Sequence, residues 1–166
     1  MLRRSLIVLL AFGAGLGVGA FAGYRCLVRP QLFLASVGES FFGDQYAYTQ
    51  YREASYPEAQ KALEAYLGYL KRDKPSNSTS WTPGENPWLD SRGLRFESTL
   101  TWSRLAILHE RNGNEPASDR AWKQAETLAA QGTWKDPSRD HLREVIARLD
   151  RAREPLTSST LPPKGA

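Results

Sequence analysis

The sequence predicts an all-α protein. One N-terminal transmembrane helix (residues 1–30) is followed by a small domain of antiparallel helical hairpins (31–154) and a disordered tail (155–166). Three observations carry this prediction. From Ser5 to Gly23 no side chain is charged, and such a run makes about 28 Å of helix, close to the ~30 Å hydrocarbon thickness of a bilayer. Behind it, apolar residues recur at the 3.6-residue helical period in successive stretches. Prolines, glycines and capping residues then punctuate those stretches where helices start and stop.

The first element is a signal-anchor. Arg3 and Arg4 close one end of the uncharged run and Arg25 and Arg29 the other. Leu6 to Leu10 are strongly apolar, whereas the second half is mostly glycine and alanine. Ala11, Gly15, Gly19 and Gly23 recur every four residues and share one stripe of a helix, with Gly13 and Gly17 beside it. Small residues at this spacing let a second helix approach closely in lipid. The expected partner is another transmembrane helix or a second copy of this one. The flanking arginines favour anionic membrane lipid. A short N-terminal tail left in the cytoplasm places the folded domain on the outer, periplasmic side. The alternative is a cleaved signal peptide, because Ala20-Phe21-Ala22 has the small-x-small form of a cleavage site. Cleavage there would release a soluble, exported helical domain. Cys26 is the only cysteine, so no intrachain disulfide forms.

The net charge of +4 belongs to the membrane flanks. Residues 31–154 hold 17 basic and 18 acidic side chains with the signs interspersed. Nucleic-acid binding needs a concentrated basic face, and the soluble part has none.

Gln31 to Gly43 is apolar through Phe33, Leu34, Val37, Phe41 and Phe42. It suits either an interfacial helix or a cap on the core of the next helices. Asp44 to Ala54 reads as a helix, and Ser55-Tyr56-Pro57 starts another, with proline in the first turn. That helix carries Ala59, Ala62, Leu63, Tyr66, Leu67 and Leu70 on one face. Its C-terminal Lys71, Arg72 and Lys74 suit the helix dipole. Pro75 to Ser91 is a long turn-rich loop carrying Trp81 and Trp88. These rings either pack back onto the helices or offer a contact surface to a partner. Arg92 to Arg111 is helical, with Leu94, Leu100, Trp102, Leu105 and Leu108 inside. Gly113 is free to take a left-handed cap. Pro116 to Gln131 buries Ala117, Ala121, Trp122, Ala125, Leu128 and Ala129. Asp136-Pro137 reads as a capped start for a last helix with Leu142, Val145, Ile146 and Leu149 inside.

Trp102, Leu105-Ala106, Gly113, Trp122 and Ala125 stand at the spacings of a tetratricopeptide repeat, a unit of two antiparallel helices. Trp102 to Glu126 resembles that family. The small residue after the turn is displaced, with Ala117 one position early and Ser118 in the slot. Ala47 to Tyr66 resembles a more degenerate unit, in which Ala59 fits, Leu63 takes the aromatic slot and Ala54 replaces the turn glycine. The resemblance covers about half the chain. It implies a protein-binding scaffold with a concave groove and no catalysis. Two units are fewer than a freestanding array needs, which implies docking on something larger.

No catalytic, cofactor or metal motif stands out. His109 and His141 have no ligand-type spacing to another His, Cys or carboxylate, and no nucleophile elbow, P-loop or paired-cysteine motif is present. Sugar stacking on Trp81 and Trp88 would need a polar constellation that the loop lacks. The expectation is a non-enzymatic, membrane-anchored interaction protein. Its Gly/Ala stripe would pack in the membrane, and Trp81 and Trp88 would contact a partner.

Overall fold

The computed structural model describes residues 15–76, 81–132 and 134–153. All regular structure among them is helical, apart from one isolated bridge between Lys74 and Glu85. Residues 15–23 form α1, which passes through a π turn at Tyr24–Val28 into α2 (Arg29–Glu53). Then come α3 (Tyr56–Arg72), α4 (Ser91–Arg111), α5 (Glu115–Ala130) and α6 (Arg139–Ala152).

Helix continues through Pro30, so no break separates the N-terminal segment from the domain. Pro30 has no N–H for the carbonyl of Cys26, and its ring crowds that carbonyl. The chain widens by one residue there, and the Arg29 N–H bonds to the Tyr24 carbonyl five residues back. The helix expected from Asp44 is therefore the last part of a longer one. Among the described residues no helix is long and apolar enough to cross a membrane. The first ten residues of the uncharged run, 5–14, lie outside the described ones, Ala11 and Gly13 among them, as does the whole tail.

The helix ends follow local chemistry. Glu58 accepts from both the N–H and the hydroxyl of Ser55 ahead of α3. Asp90 caps α4 through the Gly93 N–H at 2.7 Å, and Asn114 caps α5 through Ala117. The cap of α6 differs from expectation. Asp136 spends its carboxylate on the Ser138 N–H at 2.9 Å, closing a turn. Ser138 is then the cap, accepting from the His141 N–H. Gly113 takes φ +68°, a region costly for residues with a Cβ. Gly113→Ala should therefore lose about 1 kcal/mol in urea melts of the full chain.

Helices α2 to α5 each pack on the next, α6 packs on α4, and α4 and α5 share the most extensive interface. The main core gathers Tyr48 and Tyr51 of α2, Leu63, Tyr66 and Leu70 of α3, Leu105 and Leu108 of α4, Trp122 of α5 and Leu142 of α6. A smaller cluster joins Leu100 to Val145 and Ile146. Gly43 lets α2 approach α3 closely, since a Cβ there would meet the Tyr66 ring at 3.4 Å. Helix α4 lies between α3, α5 and α6. It buries Thr99, Thr101 and Ser103 as well as its leucines. Each of these hydroxyls donates to the carbonyl four residues back, at 2.8 to 2.9 Å, so burial leaves none of them unpaired.

Candidate functional site

Four features stand outside simple core packing. The first is the N-terminal helix. Thirteen large apolar side chains are exposed among the described residues, and eleven of them lie between Leu16 and Tyr46. Leu16, Val18, Phe21 and Leu27 are each at least 60% exposed. Phe41 and Phe42 touch edge-to-face but remain exposed. Water penalises such a concentration, and contiguous apolar surface of this kind marks membrane or partner contact. Gly15, Gly17, Gly19 and Gly23 lie on this helix, and a Cβ on any of them would meet nothing within 4 Å. Their stripe thus faces open space.

The second feature is the loop after α3. Its two tryptophans differ in role. The Trp81 ring packs edge-to-face on Phe33 of α2 at 5.4 Å. Its indole N–H donates to the Glu85 carbonyl at 2.8 Å, and its own carbonyl accepts from the Arg29 guanidinium. Trp88 stays 47% exposed. Asn86, fully buried, holds the loop together. Its amide donates to Asp73 at 3.0 Å, and its carbonyl oxygen accepts from the N–H groups of Trp88 and Leu89. The Asn86 N–H donates to the Lys74 carbonyl at 2.7 Å. The loop is thereby strapped to the start of α2.

A charged network forms the third feature, where α2, α4 and α6 meet. Arg104 is buried and donates to Asp150 Oδ1 at 3.0 Å through Nη2. Arg153 donates to Asp44 at 2.9 Å. Both guanidiniums lie over the Tyr48 ring, at 5.2 and 4.7 Å, and the Tyr48 hydroxyl donates to the Asp150 backbone carbonyl. Burial, helped by the nearby Asp44 charge, pushes the Glu97 carboxyl above its ordinary range. Charges on three helices therefore answer one another, while the buried Tyr51 hydroxyl beside them has no hydrogen-bond partner among the described residues. By contrast, the Arg72–Glu39 pair is more than half exposed on both sides and contributes little.

The fourth feature is an open trough between α3 and α5, floored by α4. It has two lobes, of about 580 and 550 Å³. Glu64, Trp102 and Gln124 line both lobes, and Trp102 is half-buried. His109 stands at one end, its Nδ1 2.8 Å from the Tyr56 hydroxyl. Burial lowers its pKa, which keeps the imidazole neutral and makes it part of the packing. His141 instead touches Trp134 edge-to-face. Among the described residues no group of three His, Cys, Asp or Glu side chains could hold a metal ion.

The sequence did not point to the α2–α4–α6 network, and the concave groove implied by the repeat resemblance came with no residues that would place the trough. Arg104 carried one signal, since it lies one residue before Leu105 and four before Leu108 on a core-facing stripe. The identity of its partner had none, because Asp150 is 46 residues away.

No family model matches the chain, and no curated protein or solved structure matches it. The class rests on the geometry alone, which among the described residues is that of an all-α protein.

Proposed function

We propose that the protein is a non-enzymatic, membrane-anchored interaction scaffold, an accessory subunit or assembly factor of a membrane or envelope complex. The observation that carries this reading is the segregation of exposed apolar surface onto the helix from Leu16 to Tyr46. Among the described residues behind Tyr46, only Phe96 on α4 and Trp88 in the loop join that exposed surface as large apolar side chains. A helix bare on every side through its first turns gains most by entering lipid or by packing on another apolar helix. The sequence of residues 5–23 is likewise free of charge. The tetratricopeptide-like spacing of Trp102, Gly113, Trp122 and Ala125 supports a protein partner for the helices behind it.

In this reading the stripe of Ala11, Gly15, Gly19 and Gly23 packs against a transmembrane partner helix or its own copy. The test replaces Gly15 and Gly19 with leucine and follows co-purification from native membranes. The bulkier side chains keep the helix and the folded domain, while the membrane partner is lost. An unchanged yield of partner would overturn the stripe. Ala20-Phe21-Ala22 favours a second reading, a cleaved and exported domain acting in solution. The intact mass of the native protein separates the two, since an anchored chain retains residues 1–22.

A further inference from the structure

We propose that the trough between α3 and α5 is the docking site for an acidic, amphipathic helix of another protein. The inference rests on the scaffold reading above and names the surface and the class of partner.

Three stripes of equal length build the trough. They run from Gln60 to Lys71 on α3, from Ser98 to His109 on α4 and from Ala117 to Leu128 on α5. At the helical rise each is about 16 Å long, or three turns. Trp102 on the α4 floor, with Leu67 on the α3 wall and Leu128 on the α5 wall, supplies the apolar surface of the trough. Trp102 stands at the join of the two lobes, so an incoming helix can set one apolar side chain on either side of the indole. Gly68 lines the second lobe, and its missing side chain leaves it open. This is the geometry of a helix laid in a groove, anchored by residues three or four apart.

The rim sets the charge of the partner. Lys71 stands at one end and Arg120 and Lys123 at the other, all exposed. Among the described residues none of the three is in an ion pair. Glu64 is the acid of the rim, and the Gln60 side-chain amide already donates to it at 2.8 Å. The trough therefore presents an excess of positive charge around an apolar floor and selects carboxylates on its ligand. The chain's own remaining segments do not fit. Residues 1–14 carry Arg3 and Arg4 and no acid, and residues 154–166 carry one glutamate and one lysine.

The experiment pans a displayed library of random peptides, roughly 14 residues long to cover the three turns, against the full-length chain in detergent micelles. The expected selection is rich in Asp and Glu, with apolar residues three or four apart. Against a chain carrying Lys71→Glu, Arg120→Glu and Lys123→Glu, the selected peptides become basic. A Cβ at Gly68 would meet nothing within 4 Å, so Gly68→Leu projects a side chain into the second lobe and improves helix propensity. It should weaken the selected acidic peptide by about ten-fold or more while the circular dichroism of the chain is unchanged. A selection with no acidic bias, or peptides that bind the charge-reversed or Gly68→Leu chain equally well, overturns the trough. A chain that keeps its membrane partner yet selects no acidic helix fails here alone. A chain with no membrane partner and a free native N-terminus after Ala22 fails the anchored reading instead.

Discussion

Trp122→Ala will destabilise the helical domain more than any other single apolar truncation, by about 3–5 kcal/mol. The indole is fully buried on α5 and joins three helices. Its N–H donates to Glu110 Oε1 of α4 at 2.8 Å. The same oxygen accepts from Arg143 of α6 at 2.7 Å. The guanidiniums of Arg139 and Arg143 lie over the ring at 5.7 and 5.4 Å. Alanine thus leaves a cavity, frees a carboxylate from one of its donors and removes the surface on which α6 rests. Trp122→Phe separates these effects. It keeps most of the ring and loses only the N–H, so it should cost about 1–2 kcal/mol. Urea melts of the full chain followed by circular dichroism read both variants. Equal losses for Phe and Ala would mean that the hydrogen bond, not the buried ring, holds the three helices together.

Trp122 was legible in the sequence because α5 repeats its apolar residues at clean helical spacing. The same holds for Leu63 and Tyr66 of α3 and for Leu142, Val145 and Ile146 of α6, all buried as their periodicity predicts. Such helices face the core on one side and water on the other, so the pattern reports the packing. Helix α4 is different. It has neighbours on several sides, and burial there selects small hydroxyl residues as well as leucines. Thr99, Thr101 and Ser103 look polar in the sequence and are buried in the structure. Pro30 misled in the opposite sense. Proline usually ends a helix, but a single π turn absorbs the missing donor and the helix runs on. The glycine stripe was visible as spacing, and the structure leaves its described members facing open space. The repeat resemblance implied a groove, but the trough could not be placed because its walls come from three helices that only tertiary packing brings side by side. Trp81 and Trp88 looked equivalent in a turn-rich loop. What separates them is Phe33, some fifty residues earlier, which takes one ring and leaves the other exposed.

Asp150→Ala should cost about 3–5 kcal/mol, nearly as much as the loss of Trp122, although it removes only a few atoms. Its partner explains why. The Arg104 side chain is 4% exposed and that of Asp150 18%, so removing the acid strands a guanidinium with little access to water. The loss also loosens a joint between α4 and α6, while the bond from Tyr48 to the backbone carbonyl of residue 150 survives. Replacing both members with apolar residues, Arg104→Met with Asp150→Leu, removes the charge together with its counter-charge. That double variant should lie within about 1 kcal/mol of the parent, and the cycle of single and double variants reads the coupling directly. A loss below about 1 kcal/mol for Asp150→Ala would show that water reaches Arg104 and that the pair acts as a surface bridge. The outcome also bears on function. If the pair only closes the α2–α4–α6 face, the double variant keeps both its stability and its acidic-helix ligand, because the trough between α3 and α5 is untouched. If instead a partner competes for Arg104, the stable double variant loses binding that Lys71, Arg120 and Lys123 cannot restore. Measuring stability and peptide binding on the same double variant therefore distinguishes a structural joint from a second recognition surface.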